Sequence, residues 1–177
     1  DGSAFGGGNY NQSSTNYIGY AWKELAGFMD IVSYTGDAAE GRNISHSLGT
    51  VPKMMIVKNR DAAVKWVVYH AKNTAAPETD HLILDSTAAT ADDNSTWNDT
   101  APTSSVFSVG SSTSTNGNGT GYIAYLFGDT SISKMGSYTG NGNADGPFVY
   151  TGFKPNWVML KWSAGAENWS VYDTSRN

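Results

Sequence analysis

The chain has no cysteine, only five prolines, and charged residues at just 15% of its length. Without cysteine there is no disulfide framework, no thiolate metal site and no catalytic thiol. Glutamates occur singly, at Glu24, Glu40, Glu78 and Glu167. The Glu-x-Asp-x-x-Glu spacing by which concanavalin-like sandwiches present two carboxylates for glycoside hydrolysis is therefore missing. Eleven basic residues stand against 16 acidic ones, a net charge of −5, and they form no run or stripe. That argues against a nucleic-acid or anionic-membrane partner. No apolar run approaches the roughly 18 to 20 residues that span a bilayer, and Asp1-Gly2-Ser3-Ala4 lacks the pattern of a signal peptide. No membrane insertion is expected.

What the chain does have is Gly, Ser, Thr and Asn in abundance, with six Trp, ten Tyr and six Phe. Aromatic-rich, charge-poor composition of this kind suits extracellular or virion all-β proteins.

Its organising feature is internal similarity. Ser33-Tyr34-Thr35-Gly36 returns as Ser137-Tyr138-Thr139-Gly140, at an offset of 104. Pro52, Met54-Met55-Ile56-Val57-Lys58 and Trp66-Val67-Val68-Tyr69 return as Pro155, Trp157-Val158-Met159-Leu160-Lys161 and Trp169-Ser170-Val171-Tyr172, at 103. Upstream, Tyr17-Ile18-Gly19-Tyr20-Ala21-Trp22 matches Tyr122-Ile123-Ala124-Tyr125-Leu126-Phe127, and Ser3-Ala4-Phe5 echoes Ser105-Val106-Phe107. A period of this size is that of a domain rather than a solenoid repeat. The expected organisation is the C-terminal part of one unit over residues 1–32, a complete unit over 33–134 and the N-terminal part of another over 135–177. On that reading the chain is a piece of a longer protein.

Strand and turn signals come about every ten residues. Strands are expected at 17–22, 31–35, 43–47, 54–58, 65–70, 80–85, 104–109 and 122–127, with copies at 157–161 and 168–173; Lys23 to Asp30 reads as a connection with one helical turn. Residues 86–101 and 110–121 read as polar loops. About seven strands per unit without a convincing helix predict an antiparallel β-sandwich, jelly-roll or lectin-like, in tandem repeat.

Chemistry finds few footholds. At matching positions His46 faces Tyr150 and His70 faces Asp173, so the titratable groups do not recur while glycines and aromatics do. With His81, they read as strand-surface residues rather than an acid/base set. Asn141-x-Asn143-x-Asp145-Gly146 starts like a calcium loop, but Gly152 stands where the closing Glu belongs, so it reads as a turn, as does Asp92-Asp93-Asn94. No catalytic, cofactor or metal residues are assigned. Aromatic rings with amide and carboxylate neighbours can stack on sugars and bond their hydroxyls. Trp97-Asn98-Asp99 and Trp162 have this chemistry, whereas Trp66 and Trp169 recur and belong to the core. The Trp97 ring has two readings, a glycan contact or an anchor that packs its own loop.

The stretch from Ser137-Tyr138-Thr139-Gly140 through Gly146-Pro147-Phe148-Val149-Tyr150-Thr151-Gly152-Phe153-Lys154-Pro155, together with Trp97 to Phe107 and Ile44 to Gly49, resembles a tandem domain of structural proteins of marine tailed bacteriophages, many described as tail-fibre or lectin-like. The resemblance covers nearly the whole chain from Tyr17 and brings no ligand residues with it. It implies a virion structural protein, in a tail fibre or other exposed appendage, acting as a rigid spacer or as a host-surface glycan-binding module; no enzymatic activity is expected. Its implied partners are other virion proteins, copies of itself with a trimer as the fibre arrangement, and host-surface glycan reached through the loops at 86–101 and 110–121. A capsid decoration or head-fibre protein, and a secreted bacterial carbohydrate-binding or adhesion module, are the alternatives.

Overall fold

The computed structural model describes residues 11–175, so the Ser3-Ala4-Phe5 correspondence lies outside the described residues. The strands in chain order are β1 (Met29–Thr35), β2 (Arg42–Ser45), β3 (Met54–Asn59), β4 (Val67–His70), β5 (Asp80–Ile83) and β6 (Ala91–Asp92). After a single helical turn, α1 (Asn94–Trp97), come β7 (Val106–Val109), β8 (Gly121–Phe127), β9 (Trp157–Leu160) and β10 (Ser170–Asp173). The protein is all-β, built on one large antiparallel sheet of order β1-β8-β3-β4-β5-β6, with β2–β7 and β9–β10 as separate pairs.

The side-chain alternation of β8 explains why the sheet forms where it does. Tyr122, Ala124 and Leu126 point to one face and are buried, while Ile123, Tyr125 and Phe127 point to the other. Both faces of the sheet are covered. Over the first, Met55, Val57, Val67, Tyr69, Tyr122, Ala124 and Leu126 meet Ile44 of β2, Phe107 and Val109 of β7 and the Trp97 ring. Against the second, where Met54, Val68 and Leu82 lie, pack Met159 and Trp169 of the β9–β10 hairpin. Burying each such side chain contributes roughly 1.5–3 kcal/mol, and a sheet buried on both faces tolerates the continuous apolar run of β3.

The hairpin β9–β10 repeats β3–β4 residue for residue. Val57 pairs with Val67 and Met54 with His70, and at an offset of 103 Leu160 pairs with Ser170 and Trp157 with Asp173. The similarity stops there, and the described residues do not form a tandem array of complete sheets. β1 is a strand because β8 lies beside it, and β2 because β7 does. The matching residues 137–149 have no such ladder among the described residues and form no strand.

Three local expectations change. Residues 17–22 form no strand; instead the Tyr20 and Trp22 rings meet Trp157 at 5.9 and 5.8 Å, and the Tyr20 hydroxyl donates to Asp173 Oδ2 at 2.8 Å. Loop 86–101 is not featureless, because Asp93 caps α1 by accepting from Ser95 N and Oγ. The Ser/Thr/Asn/Gly stretch at 110–121 folds inward, with Thr115 and Asn116 fully buried. Asn116 Oδ1 accepts from Asp37 N, and its Nδ2 donates to Asp37 Oδ1 and Ala39 O. The Tyr34 hydroxyl donates to Thr115 O at 2.6 Å, and the Tyr122 hydroxyl to Thr113 O at 2.7 Å. Burial raises the pKa of both phenols. This polar stretch is thus a fastening for the first turn of the sheet rather than a projecting loop.

Candidate functional site

Of the ring candidates, Trp97 is only 1% exposed and meets Tyr69 edge to face at 6.0 Å. It is the loop-packing anchor, and it offers no face for a sugar to stack on. Asn98 and Asp99 behind it carry positive φ of 54° and 45°, and Asn98 ends α1 by donating its N–H to Asn94 O. Their local role is to turn the chain out of the helix. Trp169 donates Nε1–H to Ile83 O at 2.9 Å and packs on the sheet, and Trp66 is half-buried with the Lys58 ammonium 5.8 Å from its ring centroid.

Trp162 is different. It is 59% exposed, and its ring lies over Gly165, where an added Cβ would stand 2.7 Å from the indole. Only glycine lets the turn after β9 support the ring so closely. Beside this turn is a cleft of about 350 Å³ lined by Leu84, Asp85, Ser86, Thr87, Asn168 and Trp169. Its walls come from two loops about eighty positions apart in sequence, held together by specific bonds. Thr90 N donates to Ser163 O at 2.8 Å, and Lys161 Nζ reaches Thr87 O at 3.2 Å, Trp162 O at 2.9 Å and Gly165 O at 3.3 Å. Asp85 Oδ1 accepts from Trp66 N at 3.0 Å, which fixes that carboxylate at the end of β5. The cleft therefore offers one carboxylate, two hydroxyls and one amide beside indole surface. These groups can bond a polyhydroxylated ligand and stack on it. Two of them are already engaged locally, Asp85 Oδ1 by the Trp66 N–H and Ser86 Oγ by the Ala88 N–H.

The histidines are dispersed. His70 and His81 lie on neighbouring strands, and burial lowers the pKa of each. His81 Nδ1 is buried with no hydrogen-bond partner. His46 receives Leu48 N on Nδ1 and donates Nε2–H to Thr103 O, which ties β2 to the start of β7. Among the described residues no three His, Cys, Asp or Glu side chains converge as a metal site. Asn141 forms a closed turn, accepting from Asn143 N and donating to Asp145 O.

Sequence reasoning located Trp162, and set Asn168 at the start of the strand expected over 168–173. The residues Leu84 to Thr87 were beyond it, since only tertiary packing sets them beside Asn168. Fold and cleft together define an all-β domain with a polar, ring-flanked surface site. The chain belongs to the family described as a domain of unknown function, DUF7483, whose pattern matches residues 1–177. No curated protein and no solved structure matches it.

Proposed function

We propose that this chain is a structural domain of a tailed-phage virion, in a tail fibre or other exposed appendage, and that it contacts host-surface glycan without cleaving it. The virion setting is supported by the sequence resemblance centred on residues 137–155. The contact is supported by one observation above others: exposed Trp162 lies over Gly165 in the same turn that supplies Asn168 to a cleft lined also by Asp85, Ser86, Thr87 and the Trp169 ring. A large indole exposed beside polar groups is the arrangement by which sugars are bound in water, with the ring taking the apolar face of the pyranose. In this reading β2–β7 closes over the main sheet as the second layer of a sandwich, and the sandwich is a rigid mount for the cleft. Partners are other virion proteins and copies of the chain itself.

The test is a glycan array with the intact chain and with Trp162→Ala. Binding that falls at least about tenfold in the variant, equal to about 1.4 kcal/mol, supports the reading. Equal binding by both, or none by either, removes the cleft from it. Immunolabelling of purified particles tests the setting separately, since label on a capsid lattice would favour a decoration protein.

A further inference from the structure

The main sheet has two outer strands, and they are guarded unequally. β6 is two residues long and carries Asp92, whereas β1 is seven residues long, with no proline and with no charged residue between Ile31 and Thr35. Short or charged edges discourage strand pairing; long, plain ones invite it. The bonds along β1 show which of its groups face outward. Gly36 N donates to Thr120 O and Phe28 O accepts from Gly128 N, in register with the β8 ladder, so the even-numbered residues face β8. The odd-numbered ones face away from it. At Met29 the outward groups are taken by Leu25, at Ile31 the N–H by Glu24 Oε1 at 3.0 Å, and at Thr35 the carbonyl by the Arg42 guanidinium. Among the described residues nothing bonds Ile31 O, Ser33 N, Ser33 O or Thr35 N. An open groove of about 440 Å³ lies alongside, lined by Ile31 to Ser33 of β1 and by Ser45 to Ser47 at the end of β2.

From this we infer that the outer edge of β1 is a pairing site for β1 of a second copy of this chain, antiparallel and two-fold about Ser33. Ser33 then meets Ser33 of the copy, and Ile31 meets Thr35 of the copy, each pair exchanging N–H···O bonds through the outward groups. What singles out a copy is the charge at the two ends of the stretch. Glu24 stands over Ile31 and Arg42 over Thr35, opposite in sign and on residues four apart. Two-fold pairing brings Glu24 of each chain to Arg42 of the other. An unrelated strand would need a cation and an anion at that same spacing, whereas a copy supplies both by symmetry. Glu24 leaves Ile31 N for the guanidinium, and Thr35 O, with two lone pairs, accepts from Ile31 N of the copy while keeping Arg42. The exposed side chains along the seam, Ile31, Ser33 and Thr35, are uncharged, so no like charges are set opposite one another. β1 and the groups that cover it all lie within residues 24–42, at the opposite edge of the sheet from β5, whose end carries the cleft. Pairing there does not depend on whether that cleft binds glycan.

The lack of cysteine makes the register directly testable. Ser33→Cys puts a single thiol on the two-fold axis, where the ~5.5 Å between Cα atoms of a hydrogen-bonded antiparallel pair is within disulfide reach. Ser137→Cys, at the exposed sequence counterpart that lies in no strand, is the control. Under a mild oxidant at equal concentration, covalent dimer should form at least about tenfold faster from Ser33→Cys than from the control. Equal rates, or no dimer from either, overturn the inference. Sedimentation velocity of the wild-type chain over a wide concentration range should show a mass rising towards two 18.9 kDa chains. Glu24→Lys, which sets a like charge against Arg42 of the copy, should weaken association at least about tenfold. Glu24 is exposed, so this variant should keep the wild-type circular dichroism spectrum and melting temperature, which are recorded first. Should it melt early, Ser33→Pro is the second probe, since it removes an outward N–H and none of the bonds to β8. A wild-type chain that stays monomeric throughout overturns the inference, and so does association unchanged in a folded variant.

Discussion

The Trp97 indole stands edge-on to the Tyr69 ring, centroids 6.0 Å apart and planes at 82°, so the last residue of α1 roofs the centre of the sheet. The ring is among the largest fully buried side chains, and Thr96 beside it is buried too. Thr96 O accepts from Gly110 N and from Thr115 Oγ1, so the turn that delivers Trp97 is tied to the stretch after β7. Trp97→Ala should therefore lower stability by about 3–5 kcal/mol, whereas exposed Trp162→Ala should change it by about 0.5 kcal/mol or less. Urea denaturation of both variants checks this, and similar losses in the two would contradict the placement of Trp97.

Gly36 and Gly110 mark close approaches of backbone to backbone. A Cβ on Gly36 would lie 2.2 Å from Gly117 O, and one on Gly110 would lie 2.3 Å from Ser95 O. A carbonyl cannot yield as the end of a flexible side chain can, so Gly36→Ala and Gly110→Ala should each cost at least about 1–3 kcal/mol. Gly140 matches Gly36 in the sequence similarity, yet nothing lies within 4 Å of its Cβ position. Gly140→Ala should be neutral or slightly stabilising, and a comparison of the three melting curves decides the matter.

Legibility in the sequence followed the range of the interactions involved. β8 was readable because alternation of side chains along its seven residues reflects the sheet itself, and β3 because Met54 to Val57 is an apolar run of strand length. The β9–β10 hairpin was readable because it copies β3–β4 in sequence as in register. Tyr17 to Trp22 copies β8 equally well and is no strand, since a ladder needs a neighbour and alternation does not supply one. α1 was too short to show a helical period, although Asp93 followed by Ser95 carried the N-cap chemistry. The burial of Thr115 and Asn116 went unread because polar composition says nothing of partners such as Asp37 and Tyr34, about eighty residues away. The cleft was half legible for the same reason: Trp162 and Asn168 belong to one turn, while Asp85 to Thr87 arrive from another part of the chain.

Acid should weaken the fold in a definite order. Burial holds the pKa of His81 below the ordinary imidazole range, with Lys65 adding to the effect and Asp93 and Asp80 opposing it. Burial does the same to His70, against the attraction of Asp129. The unfolded chain thus takes up these protons more readily than the folded one. Stability is complete above the unfolded imidazole value of about 6.5 and falls as pH drops towards the lower folded values. Asp93 is held below the carboxylate range chiefly by its bond from the Ser95 hydroxyl, so its contribution is lost only below about pH 4. Urea midpoints should decline as pH drops below about 6.5, and His81→Gln should flatten that limb. An unchanged slope in the variant would assign the loss to His70 or elsewhere.

Lys161 is the last group whose role can be isolated. Its ammonium contacts three carbonyl oxygens, Thr87 O, Trp162 O and Gly165 O, and so closes the turn under Trp162 while tethering the loop that forms the opposite wall of the cleft. Lys161→Met keeps the aliphatic stem and removes the three bonds. Because the group is half-buried and its partners are loop carbonyls, global stability should fall by only about 1–2 kcal/mol. The local effect should be larger than the global one. The Thr90 amide, whose N–H crosses to Ser163 O between the same two loops, should exchange with deuterium at least about tenfold faster than in the wild type. Amides of the central strand β3 should slow or quicken only as the global change dictates. Uniform acceleration across β3 and Thr90 alike would mean that Lys161 supports the whole fold; acceleration confined to Thr90 and the 161–169 turn would mean that it holds the two walls of the cleft together.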